Sequence, residues 1–350
     1  MESGHPIPLF ASLGMFIIDE ISFPDLQLDG ILGGGGTFAI CGSRMVLGAA
    51  ESTKCAWIVD IGNDCPGEIL HELKSWNSGA VFRYDDSRRC TRGWNGYGAN
   101  EFRSFKYLTS KKRITMADFE QYPWMLWSKS FHFVCSPKRC VELLDELKII
   151  YGTHHHELEF NNVIIAWEPI PDCCQPEFLD ETLGILNQVD ILTPNAAECA
   201  SFFGEEEPSD RKGCERIALK FLGYMAKPAA GIVLRCGHLG SMYAKSDKKV
   251  VWFPAYHHKT DNKETNKVID PTGCGNTFVG AFTTAFVKFG KNYHTSALYA
   301  TIASGACIEQ HGLPRVTHQG EDELWNGVSV NARVKIYLEE NPELITDSVL

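Results

Sequence analysis

The chain has 350 residues, 44% of them hydrophobic and 22% charged, a balance that suits a globular protein with one large α/β domain or two small ones. A net charge of −11 argues against broad binding to nucleic acid or anionic membranes, while leaving room for a local phosphate site. No basic segment precedes the short apolar run near Met15, so neither a signal peptide nor a membrane span is expected, and thirteen scattered cysteines without a Cys-x-x-Cys pair read as reduced thiols of a cytosolic or nuclear protein.

Strand-like and helix-like segments alternate along most of the chain. Phe10 to Ile21 reads as a strand, and Thr37 to Leu47 as a helix entered through a run of four glycines. Cys55 to Asp60 is a short apolar strand, with a helix over Gly67 to Trp76. Ser130 to Cys135 is strand-like and leads through Pro137 into a helical pattern carrying Val141, Leu143, Leu144, Leu147 and Ile150. Val163 to Trp167 reads as a buried strand closed by Pro169 and Pro171, and Asp190 to Thr193 and Gly231 to Leu234 are two more. That rhythm predicts a mostly parallel sheet with helices on both faces, and ligands at the carboxyl ends of its strands. Two regions break it. Ala80 to Tyr84 and Phe102 to Tyr107 are β-like pieces around a polar, glycine-rich loop, Arg92 to Asn100, and predict a small β lid over 80–108 joined by 14–30. From Thr317 the chain is acidic and weakly patterned, which predicts a peripheral helix and tail over 317–350 beside a main domain of 1–316.

The densest chemistry lies in Asp270-Pro271-Thr272-Gly273-Cys274-Gly275-Asn276-Thr277-Phe278. Small residues just before a helix leave backbone N–H groups open to an anion, and the helix start adds the positive end of its dipole. Gly33, Gly34, Gly35 and Gly36 allow a second close approach of backbone to ligand, though a flexible turn has the same composition. Their spacing lacks the Gly-x-Gly-x-x-Gly of dinucleotide binding, which disfavours a nicotinamide-dependent dehydrogenase. Asn195 and Glu198 lie one helical turn apart, where their oxygens reach either one hydrated cation or each other's backbone as a capping box. The His154-His155-His156 cluster and the pair His257-His258 lack companion ligands and read as polar loops.

These strings, in this order from about Gly14 to Gly312, resemble the PfkB, or ribokinase-like, carbohydrate kinases. The wording Pro-Thr-Gly-Cys-Gly-Asn-Thr-Phe resembles a fungal branch of that family associated with maintenance of killer virus particles. The resemblance implies a three-layer α/β sandwich with a small β lid, and ATP- and Mg²⁺-dependent phosphorylation of a sugar or polyol. It makes Gly273, Cys274 and Gly275 an anion hole, and puts Asp19, Gly33 to Gly36 and Asp64 (chiefly a helix cap) at the acceptor. Arg235, Gly237, Gly240, Asp270 and Thr272 would meet the nucleotide, and Asn195 and Glu198 the magnesium. The helix around Ala303 to Cys307 would lie beside the adenine.

Two departures stand out. Trp167-Glu168-Pro169 replaces an Asp-x-Asn element, and Asn276 stands where the family has its catalytic aspartate. An amide orients a hydroxyl but does not hold its proton, and loss of a general base costs about 10²–10⁴ in rate. Weak kinase activity is therefore expected, with a non-catalytic nucleotide- or sugar-binding scaffold as the rival and no protein partner identified. Restoring aspartate at 276 is expected to raise turnover, and valine at Gly273 or Gly275 to abolish phosphate binding at little cost to the fold.

Overall fold

The computed structural model describes residues 4–97, 103–153, 159–258, 266–320 and 322–346; His154 to His156 lie outside them. The chain opens with β1 (Phe10–Ser12), β2 (Ile17–Phe23) and β3 (Leu26–Gly33), then helix α1 (Gly35–Leu47). Strand β4 (Cys55–Gly62) leads to α2 (Gly67–Ser75), followed by β5 (Gly79–Asp85), β6 (Arg92–Tyr97) and β7 (Arg103–Tyr107). Two short helices, α3 (Met116–Glu120) and α4 (Pro123–Leu126), precede β8 (Ser130–Cys135) and α5 (Pro137–Thr153). After β9 (Ile164–Pro169) come α6 (Leu179–Ile185), β10 (Ile191–Leu192), α7 (Ala196–Ser201) and α8 (Arg211–Leu222). A meander of β11 (Gly231–Arg235), β12 (Ser241–Lys245) and β13 (Val250–Phe253) follows, then α9 (Cys274–Lys288) and α10 (Tyr293–Cys307). The described chain ends in β14 (Val316–Gln319), β15 (Asp322–Trp325), β16 (Val328–Ser329) and α11 (Val330–Glu340), with a short turn beyond.

Nine strands form the central sheet in the order β13-β12-β11-β10-β9-β8-β1-β4-β5, parallel except where β12 pairs with β11 and β13. Its inner strands β1, β4, β8 and β9 are buried at almost every position and mostly apolar, because both faces are covered. Along β4, Trp57, Val59 and Ile61 enter the core under α1, α9 and α10, while Ala56 and Ile58 enter the core under α3, α5 and α8. The result is the three-layer sandwich that the alternation predicts, with a four-stranded lid in the order β3-β2-β6-β7.

Four expectations need correction. Phe10 to Ile21 is two strands in two sheets: β1 pairs with β4 and β8, and β2 belongs to the lid. The break falls at Gly14, whose missing Cβ lets Gly36 approach; an added Cβ would lie 2.5 Å from the Gly36 nitrogen. Ala80 to Tyr84 lies in β5, the edge of the central sheet; its half-polar pattern reflects an edge strand, with Arg83 bonded at 2.8 Å to Asp60 on β4. The stretch Arg92 to Tyr97 is strand β6, parallel to β2, and not a loop. The segment from Thr317 does carry a helix, but a three-stranded sheet precedes it, and Trp325 and Tyr337 are buried in the main core.

Helices α1 and α9 carry the glycine-rich segments, and glycine also sets their separation. A Cβ at Gly280 would overlap the Ala39 carbonyl and lie 2.7 Å from the Ala39 Cα, and one at Gly42 would lie 2.9 Å from the Ala281 nitrogen. Backbone cannot yield there as a flexible side chain would. Gly280→Val is therefore expected to destabilise the fold by about 3 kcal/mol, the upper part of the range for overpacking. The urea midpoint measures this, and an unchanged midpoint would show that the two helices separate freely.

Candidate functional site

A cleft of about 1240 Å³ opens at the carboxyl ends of the central strands, under the lid. Its walls come from Gly14 after β1, Ser136 after β8, Glu168 at the end of β9, Asn195 and Glu198 after β10, and Arg235 to Gly240 after β11. The start of α9, from Thr272 to Asn276, forms another wall, and Asp19 of the lid faces in from above.

Gly273 caps α9 in the left-handed conformation, φ 75°, and lies on the ring of Phe38 of α1, so a side chain there would fail on both counts. The helix start leaves its first N–H groups without intrahelical acceptors. Gly275 is glycine for another reason: a Cβ there would overlap Nη1 of Arg235. The Arg235 guanidinium thus lies on the Gly275 backbone, where the anion hole is expected, next to the positive end of a helix dipole. Two carboxylates hold it there. Nη1 pairs with Glu168 Oε1 at 2.9 Å, and Nη2 lies 3.6 Å from Glu198 Oε2 while donating to the Thr193 carbonyl at 2.9 Å. Nε is buried, with no hydrogen-bond partner among the described residues. This arrangement fits an anion: the helix start and a guanidinium with donor capacity to spare converge on one place.

Glu168 is the buried hub, 5% exposed. Its Oε2 accepts from Asn276 Nδ2 at 2.8 Å and meets His132 Nε2 at 3.1 Å. Behind it, His132 Nδ1 lies 3.2 Å from Ser12 Oγ, which in turn accepts from the Gly14 N–H at 3.1 Å. A proton on Nε2 lets His132 donate to Glu168 Oε2 while Nδ1 accepts from the Ser12 hydroxyl. Burial pushes the Glu168 carboxyl up, but Arg235, His132 and Asn276 outweigh that and hold it below the ordinary range.

Asn195 and Glu198 form the capping box of α7: Asn195 Oδ1 accepts from the Glu198 N–H at 2.7 Å, and Glu198 Oε2 from the Asn195 N–H at 2.8 Å. Both still line the cleft, and oxygen donors of this kind suit a magnesium ion held through its water shell. Among the described residues, no three His, Cys, Asp or Glu side chains converge to bind a metal directly.

Most of the expected residues line the cleft: Asp19, Gly34, Gly35, Asn195, Glu198, Arg235, Gly237, Gly240, Thr272, Gly273, Cys274, Gly275 and Asn276, together with Ser304 and Gly305 of α10. Gly35 packs on Asn276, whose Nδ2 would lie 3.3 Å from a Cβ there. Four do not line it. Gly33 makes room for the Asp19 carboxylate and Gly36 for the Gly14 carbonyl. Asp270 is buried, accepting from the Thr272 N–H at 2.8 Å and meeting His311 at 3.1 Å. Asp64 is not the cap of α2, a position held by Pro66; it accepts from the Cys90 N–H and from Arg89 and Arg92 instead. His132 and Ser12 are site residues that the motifs missed, and Glu168 stood out in sequence as a departure from an Asp-x-Asn element without a role. The available cue was a glutamate and a histidine inside otherwise apolar strands.

Residues 104–317 match the pfkB family of carbohydrate kinases. The yeast Saccharomyces cerevisiae has a relative, Protein MAK32, 36% identical over 344 residues that cover 94% of this chain and 91% of the relative, in keeping with the fungal branch. Among solved structures, a ribokinase of Giardia lamblia is similar with a TM-score of 0.66 at 15% identity, covering 96% of this chain and all of that one. A ribokinase of Arabidopsis thaliana, solved with ribose and ATP, gives 0.62 at 16% identity and covers 95% and 99%. By sequence, and in keeping with its fold, this chain belongs to the pfkB family of carbohydrate kinases.

Proposed function

We propose that the protein transfers the γ-phosphoryl group of Mg·ATP to a hydroxyl of a sugar or sugar-like alcohol, slowly because Asn276 stands at the family's base position. The observation that carries this reading is the cleft itself. The anion-binding start of α9 faces Asp19 and the Gly34-Gly35 backbone across one opening, so a phosphoryl donor and a polyol would meet there. Asp19 would accept hydrogen bonds from vicinal hydroxyls. The α9 N–H groups and Arg235 would take the phosphoryl charge, and Asn276 would orient the attacking hydroxyl. Gly237, Gly240 and Thr272 would flank the nucleotide, with Ser304 and Gly305 beside the base. Magnesium, held through water by Asn195 and Glu198, would neutralise phosphate charge. The kinase unit is assigned to 1–316, with 317–350 as its C-terminal cover.

One observation favours the rival reading, a nucleotide- or sugar-binding scaffold. Arg235 is paired with two carboxylates beside the start of α9, so its charge is met within the protein itself. Thirteen unpaired cysteines suit a reducing compartment, the cytosol or nucleus. Among the described residues no helix is long and apolar enough to cross a membrane.

Calorimetry with Mg·ATP, a thermal melt and a single-turnover assay over a polyol panel test both readings. Ligand at 100 times its dissociation constant should add about 2.7 kcal/mol of stability. No heat and no shift of the melt would remove the nucleotide assignment. Binding without transfer to any acceptor, water included, would establish the scaffold.

A further inference from the structure

The position that should supply the base holds an amide, yet a carboxylate lies beside it. Glu168 is in hydrogen-bond contact with Asn276, comes within 3.8 Å of the position a Cβ would take on Gly275, and lines the cleft. A hydroxyl attacking a phosphorus held at that backbone must come close to the same carboxylate. We propose that Glu168 is the general base of this protein, freed for the task when the phosphoryl group engages Arg235. This rests on the kinase reading above.

The geometry gives the two oxygens different duties. Oε2 is fixed by Asn276 and by His132, itself fully buried and oriented by Ser12. Among the described residues, the polar contact of Oε1 is the Arg235 guanidinium. Phosphoryl oxygens compete for that guanidinium, and as they take it, Oε1 loses its cation and becomes a proton acceptor. The attacking O–H bond then breaks and its proton moves to Oε1. The oxygen's electron pair forms the new O–P bond, and the bond from phosphorus to the β-phosphate oxygen breaks, leaving ADP with that pair. One carboxylate charge is lost, and the phosphorylated alcohol and ADP carry one more negative charge than ATP did. Asn276 keeps its orienting role through Oδ1. The base is thus silent until donor phosphate arrives, which suppresses proton uptake in the empty site.

The charged and titratable groups facing Glu168 are Arg235 from β11 and His132 from β8; Asn276 from α9 is neutral. The experiment compares wild type, Glu168→Gln, Asn276→Asp and the Glu168→Gln/Asn276→Asp double variant in single-turnover phosphoryl transfer, each titrated separately with Mg·ATP. Glu168→Gln should lose at least about 100-fold in rate while Mg·ATP affinity is retained or rises, because the phosphate no longer competes with a carboxylate for Arg235. Asn276→Asp alone should give no gain. The double variant should recover at least about tenfold over Glu168→Gln, with a pH–rate profile whose acidic limb, missing in Glu168→Gln, has returned. A Glu168→Gln protein that keeps the wild-type rate overturns Glu168 as the base and leaves the kinase reading standing. A slow Glu168→Gln that Asn276→Asp does not rescue also overturns it, since a structural ion-pair role would behave so. A wild type that binds Mg·ATP yet transfers to no acceptor overturns both readings together. Circular dichroism and melts of all four proteins separate loss of rate from loss of fold.

Discussion

Gly275→Val is expected to weaken Mg·ATP binding by at least about 100-fold. The new side chain must occupy the space of the Arg235 guanidinium, because a Cβ alone overlaps Nη1. The guanidinium is the far end of a flexible chain and can leave, but leaving strips the anion hole of its cation and parts it from Glu168 and Glu198. The valine also covers the α9 N–H groups. Hydrogen bonds to charged groups contribute about 1.5–3 kcal/mol each, so losing the arginine and one amide reaches the stated factor at 1.4 kcal/mol per tenfold. Gly275→Ala should show a smaller loss in the same direction. Calorimetric titration reads the effect, with the urea midpoint as control for folding. Wild-type affinity in the valine variant would make this loop a helix entry and nothing more. Gly273 is not an equivalent probe, contrary to the expectation from sequence: with φ 75° and the Phe38 ring behind it, a side chain there disrupts the α1–α9 contact before any ligand is considered.

The contrast between these two glycines shows what was legible in the sequence. Local composition carried the strand–helix alternation and a glycine-rich helix start on a cleft at the carboxyl ends of the strands, because each depends on residues adjacent in the chain. It did not carry which atom each glycine makes room for. Gly33, Gly34, Gly35 and Gly36 read alike as a string, yet Gly34 and Gly35 face the cleft, whereas Gly33 serves Asp19 and Gly36 serves Gly14. Asp64 and Asp270 stand where the resemblance implies ligand contacts, yet Asp270 takes the nearby Thr272 N–H and His311, and Asp64 takes the distant Cys90 N–H with Arg89 and Arg92, pairings that chain order does not reveal. The lid was misread for a related reason: β5 and β6 are both half-polar strands, and only pairing shows that one edges the central sheet and the other joins β2. The Glu168–His132–Ser12 line joins residues from three strands that are neighbours in space and remote in sequence, so no motif spans it.

That line makes Asn276→Asp alone a poor repair. The amide donates to Glu168 at 2.8 Å, and an aspartate would put a second carboxylate against the first. Two carboxylates at that separation do not both ionise; they share a proton and titrate as a pair. The effect of Asn276→Asp should therefore be read against a Glu168→Gln background, where the second carboxylate is gone, and not in the wild type.

Replacing the cation should have the larger thermodynamic effect. Arg235→Met keeps much of the side-chain volume and removes the charge, leaving Glu168 in a buried site with only His132 and Asn276. Breaking a buried pair from one side costs about 3–5 kcal/mol, because the remaining charge is uncompensated. The pH dependence identifies the cause. In the wild type the folded-state pKa of Glu168 is depressed below the ordinary 4.5, so its contribution to stability is present above that value and is lost as pH falls through the folded pKa. In Arg235→Met burial, the largest influence on this group, is no longer opposed by the guanidinium, and the pKa should rise above the unfolded value. The sign then reverses: the group favours the fold below the unfolded pKa, and that contribution is lost as pH rises through the folded one. The two proteins should therefore differ most at neutral pH and converge towards and below pH 4.5, which chemical denaturation at a series of pH values would measure. A gap that stays constant with pH would show that the cost is one of packing, and that Arg235 does not hold Glu168 ionised.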